Sequence, residues 1–208
     1  VILDNLIAEG KAKPFIVVME TSAATKPGEA PPQPRQPAPA PGAPGAPAAQ
    51  GAPGAPAAQG GQPAPAAPRR MGFSFDTYAE VMLKDMIPYI DSNFRTLANQ
   101  SNRAMSGLSM GAMCTKSVTL AHLDTFSYIG LFSGGTIAPA EITDKSKVKL
   151  VFMSYGSRER GSESVKAAAD ALQQAGIRSA SYVSPLTAHE FQSWRRSLYE
   201  FAQLLFTN

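Results

Sequence analysis

Beyond residue 71 the apolar positions follow two alternating rhythms. "FSYIGLFSG" (126–134) and "VKLVFMSYG" (148–156) are short, almost unbroken apolar runs, the pattern of strands buried on both faces. "RAMSG" (103–107) and "SASYVSP" (179–185) are shorter strand-like runs ended by Gly107 and Pro185. Between them the apolar spacing widens to three and four. "FDTYAEVMLKDMIPYIDSNF" (75–94), "GAMCTKSVTLAH" (111–122), "SESVKAAADALQQAG" (162–176) and "EFQSWRRSLYEFAQLLF" (190–206) therefore read as helices. Pro88 marks a kink or a fresh start in the first. Ser162 is a cap candidate for the third, and Gly176 its stop. The last places Phe191, Trp194, Leu198, Phe201 and Leu205 on one apolar face, with Trp194 expected to pack that helix onto a sheet.

The first seventy residues are different. "VILDNLIAEGKAK" reads as the second half of an amphipathic helix ending at Gly10, with lysines after it. "FIVVM" (15–19) reads as a strand. With no initiator Met and no signal-peptide pattern, the chain is expected to be a fragment, or a mature form that has lost upstream residues. Residues 22–70 then break every periodicity. Fourteen of the 18 prolines lie between Pro27 and Pro68, only Glu29 and Arg35 are charged there, and "GAPGAPAAQ" occurs twice in tandem. Such a stretch buries too little apolar surface to offset its ordering entropy. Because residues 1–21 are too few for a domain, 22–70 is expected to be a low-complexity insertion within one domain spanning 1–208.

Strands alternating with helices predict an α/β fold with a mostly parallel sheet and helices on both faces. Five strands are expected, at 15–19, 103–107, 127–132, 149–155 and 179–184. In such sheets chemistry gathers at the carboxyl ends of the strands. Composition then removes alternatives. The formal charge of +3 forms no basic stripe, so nucleic acid is not an implied partner, and no apolar run is long enough to cross a bilayer. One cysteine, Cys114, allows neither an intrachain disulfide nor a cysteine metal cluster, and is expected to be a small buried apolar residue. His122 and His189 have no metal-ligand spacing, so a zinc site is not expected.

One motif stands at a strand end. Gly107-Leu108-Ser109-Met110-Gly111 fits G-x-S-x-G between a predicted strand and a predicted helix, the setting of a nucleophile elbow. The turn strains the serine, and glycines two positions away avoid collisions. The following helix aims its N-terminus at the serine, with the Met110 N–H as one donor to an oxyanion. A serine needs a base, and the base a carboxylate, in the chain order serine, acid, histidine. His122 fails, since no acid lies between it and Ser109, and is expected at a helix end. His189, in the loop before the last helix, is the base candidate. Among Asp124, Glu141, Asp144, Glu159, Glu163 and Asp170, only Glu159 follows a strand on the active edge. An ion pair with Arg158 or Arg160 is its alternative role.

These blocks resemble a known family. "NLIAEGKAKPFIVVM", "DMIPYIDSNFRT", "NRAMSGLSMGAM", "TFSYIGLFSG", "LVFMSYGSRE" and "TAHEFQSWRRSLYEFAQLLF", in this order, resemble the bacterial esterases of carbohydrate esterase family 1, over residues 1–20 and 72–208. The resemblance implies an α/β-hydrolase fold, nucleophile Ser109, base His189 and acid Glu159, where the family more often has Asp. It implies hydrolysis of hydroxycinnamoyl esters, with feruloylated xylan or a xylo-oligosaccharide as partner and secretion or the periplasm as location. Acetyl xylan or enterochelin-type esters are the alternatives in the same class; a non-catalytic binding protein on a hydrolase scaffold is the alternative outside it. The family's upstream His-Gly motif, source of a second oxyanion donor, and its first strands have no counterpart in this sequence, and the 22–70 insertion is not a general family feature.

Overall fold

The two unbroken apolar runs become the two inner strands of a parallel sheet. The computed structural model describes residues 1–20 and 75–207. Strands β1 (Ala104–Leu108), β2 (Tyr128–Phe132), β3 (Leu150–Gly156) and β4 (Ser179–Ser184) lie in the order β1-β2-β3-β4. All three pairings are parallel, with Ala104 opposite Tyr128, Tyr128 opposite Leu150, and Val151 opposite Ser179. Every residue of β2 is buried, and every residue of β3 except Tyr155.

Alternation along these strands divides the core into two faces. Ile129, Leu131, Val151 and Met153 point to one side, among Ala112 of helix α4 (Met110–Ala121) and Val165, Ala169 and Leu172 of α5 (Ser164–Gln174). Tyr128, Phe132, Leu150 and Phe152 point to the other, against Phe201 of α6 (Phe191–Leu204). Helices thus cover both faces, as the α/β reading requires. A third cluster joins Tyr78 and Ala79 of α2 (Phe75–Val81) to Met105, Cys114 and Val118. Cys114 is buried there, and burial pushes its thiol pKa up to about 11. Helix α1 (Ile2–Ala8) ends before Gly10, at φ +68, and buries Leu6 completely.

Three local expectations change, and the fresh start expected at Pro88 is met. The strand at 15–19 does not form: Phe15 packs edge-on against Phe206 at 5.6 Å, but Ile16, Val17, Val18 and Met19 are exposed and carry no regular structure. Strand structure needs a hydrogen-bonding neighbour, and among the described residues none lies beside this segment. The helix at 75–94 is divided. A π-helical turn (Met82–Met86) brings the Ile87 N–H to the Met82 carbonyl, and α3 (Ile87–Asn93) restarts with Pro88 in its first turn, where a missing N–H costs little. Ser162 does not cap α5. Its N–H donates to the Glu159 carbonyl, and Glu163 stands at the cap without a side-chain bond. Phe191 lies off the apolar face of α6, 74% exposed. The 22–70 insertion lies outside the described residues.

Phe201 joins α6 to the sheet. Its ring lies where a Cβ on Gly130 would come within 2.9 Å, so the glycine in the middle of β2 gives the ring its seat. It meets Phe132 edge-on at 5.8 Å and Phe152 at 5.3 Å. Phe201→Ala should therefore destabilise the fold by about 3–5 kcal/mol, read as a lower urea midpoint at unchanged m-value.

Candidate active site

The turn after β1 is set by close packing. Ser109 joins β1 to α4 at φ 54, ψ −120, a conformation that costs a non-glycine residue about 1–3 kcal/mol. Backbone bonds hold it there. Its N–H donates to the Phe132 carbonyl at 2.8 Å, and its carbonyl accepts from Ala112 N–H at 3.1 Å. A Cβ on Gly107 would collide with the Gly111 carbonyl, so this glycine is required. Gly111 faces open space instead, contrary to the expectation that both motif glycines relieve contacts. The second required glycine is Gly134, after β2, where a Cβ would strike the Ser109 carbonyl and Ala112. Met110 opens α4, and its N–H, like the others of a first helical turn, has no acceptor within the helix.

Two further strand ends bring the partners. Glu159 sits in a turn directly after β3, its N–H donating to the Gly156 carbonyl at 3.0 Å. His189 sits in the loop after β4. That loop is tied to the Glu159 turn by Arg158 N–H to Thr187 carbonyl at 2.9 Å and Leu186 N–H to Ser157 Oγ at 2.9 Å. Gly156 permits this approach, since a Cβ there would lie 2.6 Å from the carbonyl oxygens of both Thr187 and Ala188.

The result is a hydrogen-bonded line. His189 Nε2 is 2.8 Å from Ser109 Oγ, and His189 Nδ1 is 2.7 Å from Glu159 Oε2. Glu159 Oε1 accepts from Gly156 N–H and from Ser133 Oγ, each at 2.7 Å. The Glu159 side chain is 9% exposed and that of His189 47%. Burial pushes the Glu159 pKa upward, but the hydrogen bonds from His189, Gly156 and Ser133 outweigh it, and the carboxyl is held below its ordinary range. An ionised acceptor therefore faces Nδ1, which leaves Nε2 free to accept the Ser109 proton. Such an arrangement can make a serine hydroxyl nucleophilic.

The other candidates are engaged elsewhere. Glu141 pairs with Lys116 at 2.7 Å, Asp170 with Lys166 at 2.7 Å, and Asp144 accepts from Ser146 N–H at 3.0 Å. Asp124 is exposed, and Glu163 stands at the cap of α5. His122 ends α4. Glu159 is hydrogen-bonded to His189, while Arg158 and Arg160 are exposed. Among the described residues no group of three or more His, Cys, Asp or Glu could hold a metal ion, and no helix is long and apolar enough to cross a membrane. Two neighbours escaped the sequence reading: Ser133, just past β2, and the polar edge of Trp194. The Trp194 indole N–H donates to Ser133 Oγ at 3.0 Å, and its ring meets His189 edge-on at 5.1 Å. Ser133 lies at a strand's carboxyl end, the signal that could have found it.

Known proteins share this framework. Residues 64–206 match the family described as "Putative esterase". The chain is 38% identical over 205 residues to an endo-1,4-beta-xylanase/feruloyl esterase of Xylanibacter ruminicola, a match covering 99% of this chain and 23% of that protein. It therefore spans about a quarter of that relative's length. The structure is similar to a CE1 ferulic acid esterase of Anaeromyces mucronatus in complex with ferulic acid, with TM-score 0.63 and 18% identity over 97% of this chain and 69% of that one. It is also similar to the feruloyl esterase module of Clostridium thermocellum complexed with sinapinate, with TM-score 0.54 and 17% identity over 65% and 60% of the two chains. These likenesses identify the fold as that of the α/β-hydrolases.

The lowered pKa of Glu159 makes stability depend on pH. As pH falls, the unfolded chain takes up this proton first, at an ordinary glutamate pKa of about 4.3. Ionised Glu159 thus stabilises the fold above that value and loses the contribution as pH drops through the lower folded-state value. Urea midpoints measured from neutral pH to pH 3 should fall less steeply for Glu159→Gln than for the unsubstituted chain.

Proposed function

This chain belongs to the esterase family, and we propose that it is a serine hydrolase of hydroxycinnamoyl esters, chiefly feruloyl esters, on plant cell-wall polysaccharide. The observation that carries the reading is the unbroken line from Ser109 Oγ through His189 to Glu159 Oε2, at 2.8 and 2.7 Å. The substrate class is supported by the 38% identical relative, whose name includes feruloyl esterase. Feruloylated xylan or a xylo-oligosaccharide would be the substrate, which suits secretion or the periplasm.

In the proposed reaction Ser109 Oγ attacks the ester carbonyl while His189 Nε2 takes its proton. The carbonyl oxygen gains negative charge and turns toward the N-terminus of α4, where the Met110 N–H donates to it. Glu159 stays ionised, keeps the Nδ1 proton facing it and stabilises the imidazolium. His189 then gives its proton to the departing sugar oxygen, leaving an acyl-serine. A water deprotonated by His189 attacks the acyl carbon, and the hydroxycinnamic acid leaves as Ser109 regains its proton. No step requires a metal or a cofactor. Residues 1–20 and 75–207 serve this chemistry as one domain interrupted by the 22–70 insertion. Support comes from Phe15, which packs on Phe206 beyond the end of α6.

Methyl ferulate hydrolysis by the full chain, set beside hydrolysis of an aryl acetate, tests the proposal. Ser109→Ala should lower kcat on methyl ferulate by at least about ten-thousandfold, with folding unchanged by circular dichroism. Acetate turnover without ferulate turnover would move the substrate to acetylated sugars. Ferulate turnover that survives in Ser109→Ala would sink the mechanism, and an inert full chain would favour a binding role.

A further inference from the structure

We infer that Ser133 is a positioning residue for this reaction, its hydroxyl oriented by the Trp194 indole so that Glu159 presents one oxygen to His189. The inference rests on the serine-hydrolase reading above. Its basis is a directional chain of hydrogen bonds. An indole N–H can only donate, so at 3.0 Å from Trp194 Nε1 the Ser133 Oγ must be the acceptor. The Ser133 hydrogen is then left for Glu159 Oε1 at 2.7 Å, and an ionised carboxylate can only accept. Gly156 N–H supplies a second donor to the same oxygen. With Oε1 occupied from two sides, Oε2 is the oxygen left to meet His189 Nδ1.

The length of the acid gives this arrangement a purpose. Glutamate has one more rotatable bond than aspartate, so its carboxylate sweeps a wider arc unless something holds it. Here the hold comes from a different strand: Ser133 follows β2, whereas Glu159 follows β3. Ser133 is 6% exposed and adopts φ 53, a left-handed conformation that glycine would take with less strain. The backbone alone would be better served by glycine, so backbone and hydroxyl pull in opposite directions at this position. Trp194 completes the frame, since its ring also packs perpendicular to the His189 imidazole at 5.1 Å.

That opposition gives the test. In the full chain, Ser133→Gly, which relieves the φ, should melt at a higher temperature than Ser133→Ala, which loses the same hydroxyl but keeps the strain. It should nonetheless lower kcat on methyl ferulate by about ten- to a hundredfold, the loss of a hydrogen bond to a charged group, with KM unchanged. The rate at which a fluorophosphonate probe labels Ser109 should fall in parallel. Ser133→Ala, which keeps the strain and loses only the hydroxyl, should give the same rates. Trp194→Phe should lower kcat by itself, and adding it to Ser133→Gly should cost little more, because the indole acts through the serine. Wild-type kcat and labelling in both Ser133 variants would overturn the inference, as would losses that multiply in the double variant. If the unsubstituted chain is not labelled at Ser109, the serine-hydrolase reading fails and this inference goes with it.

Discussion

The Glu159 carboxylate is the point on which the site's geometry depends. Each of its oxygens is spoken for, Oε1 by Gly156 N–H and Ser133 Oγ, Oε2 by His189 Nδ1. These three donors come from the ends of three successive elements: β3 itself, the turn after β2, and the loop after β4. A carboxylate held this way orients the imidazole, and the imidazole in turn reaches the serine beyond β1. The parallel sheet makes this convergence possible, because it brings four carboxyl ends to one edge.

Close backbone approach does the rest. Gly107 and Gly134 let the β1–α4 turn pack without a Cβ in the way, and Gly156 lets the His189 loop lie on the Glu159 turn. Three non-glycine residues near this edge, Ser109, Ser133 and Leu186, have positive φ. Their strain is sustained by a sheet whose inner strands are almost entirely buried. Rigidity thus comes from the core beneath, with Phe201 against Gly130 on one face and Leu131 and Met153 among α4 and α5 on the other.

What could be read from the chain alone was what depends on near neighbours in sequence. The apolar runs at 127–132 and 149–155 mark strands because burial on both faces leaves no polar positions. Ser109 was legible because a strand, two glycines and a helix surround it within a few residues; His189 and Glu159 followed by their order after it. Most of the failures are non-local. "FIVVM" has strand composition, but strand structure also needs a partner. The G-x-S-x-G pattern points to Gly111 as the second glycine that relieves a contact, but that contact belongs to Gly134, some twenty residues later. Ser133 reads as an ordinary serine before two glycines, and nothing adjacent reveals that Glu159 and Trp194 meet there. Phe191 fits the helical spacing of α6, yet the first residue of a helix can lie outside the groove its face fills.

The central claim is that Ser109 reacts at its Oγ while the N-terminus of α4 receives the charge. The most direct measurement is a crystal structure of the chain after reaction with an aryl phosphonate ester, a mimic of the tetrahedral intermediate. The account predicts phosphorus bonded to Ser109 Oγ, a phosphoryl oxygen within hydrogen-bond distance of the Met110 N–H, and the His189–Glu159 contact intact. Phosphorus on another residue, or a phosphoryl oxygen turned away from α4, would contradict it.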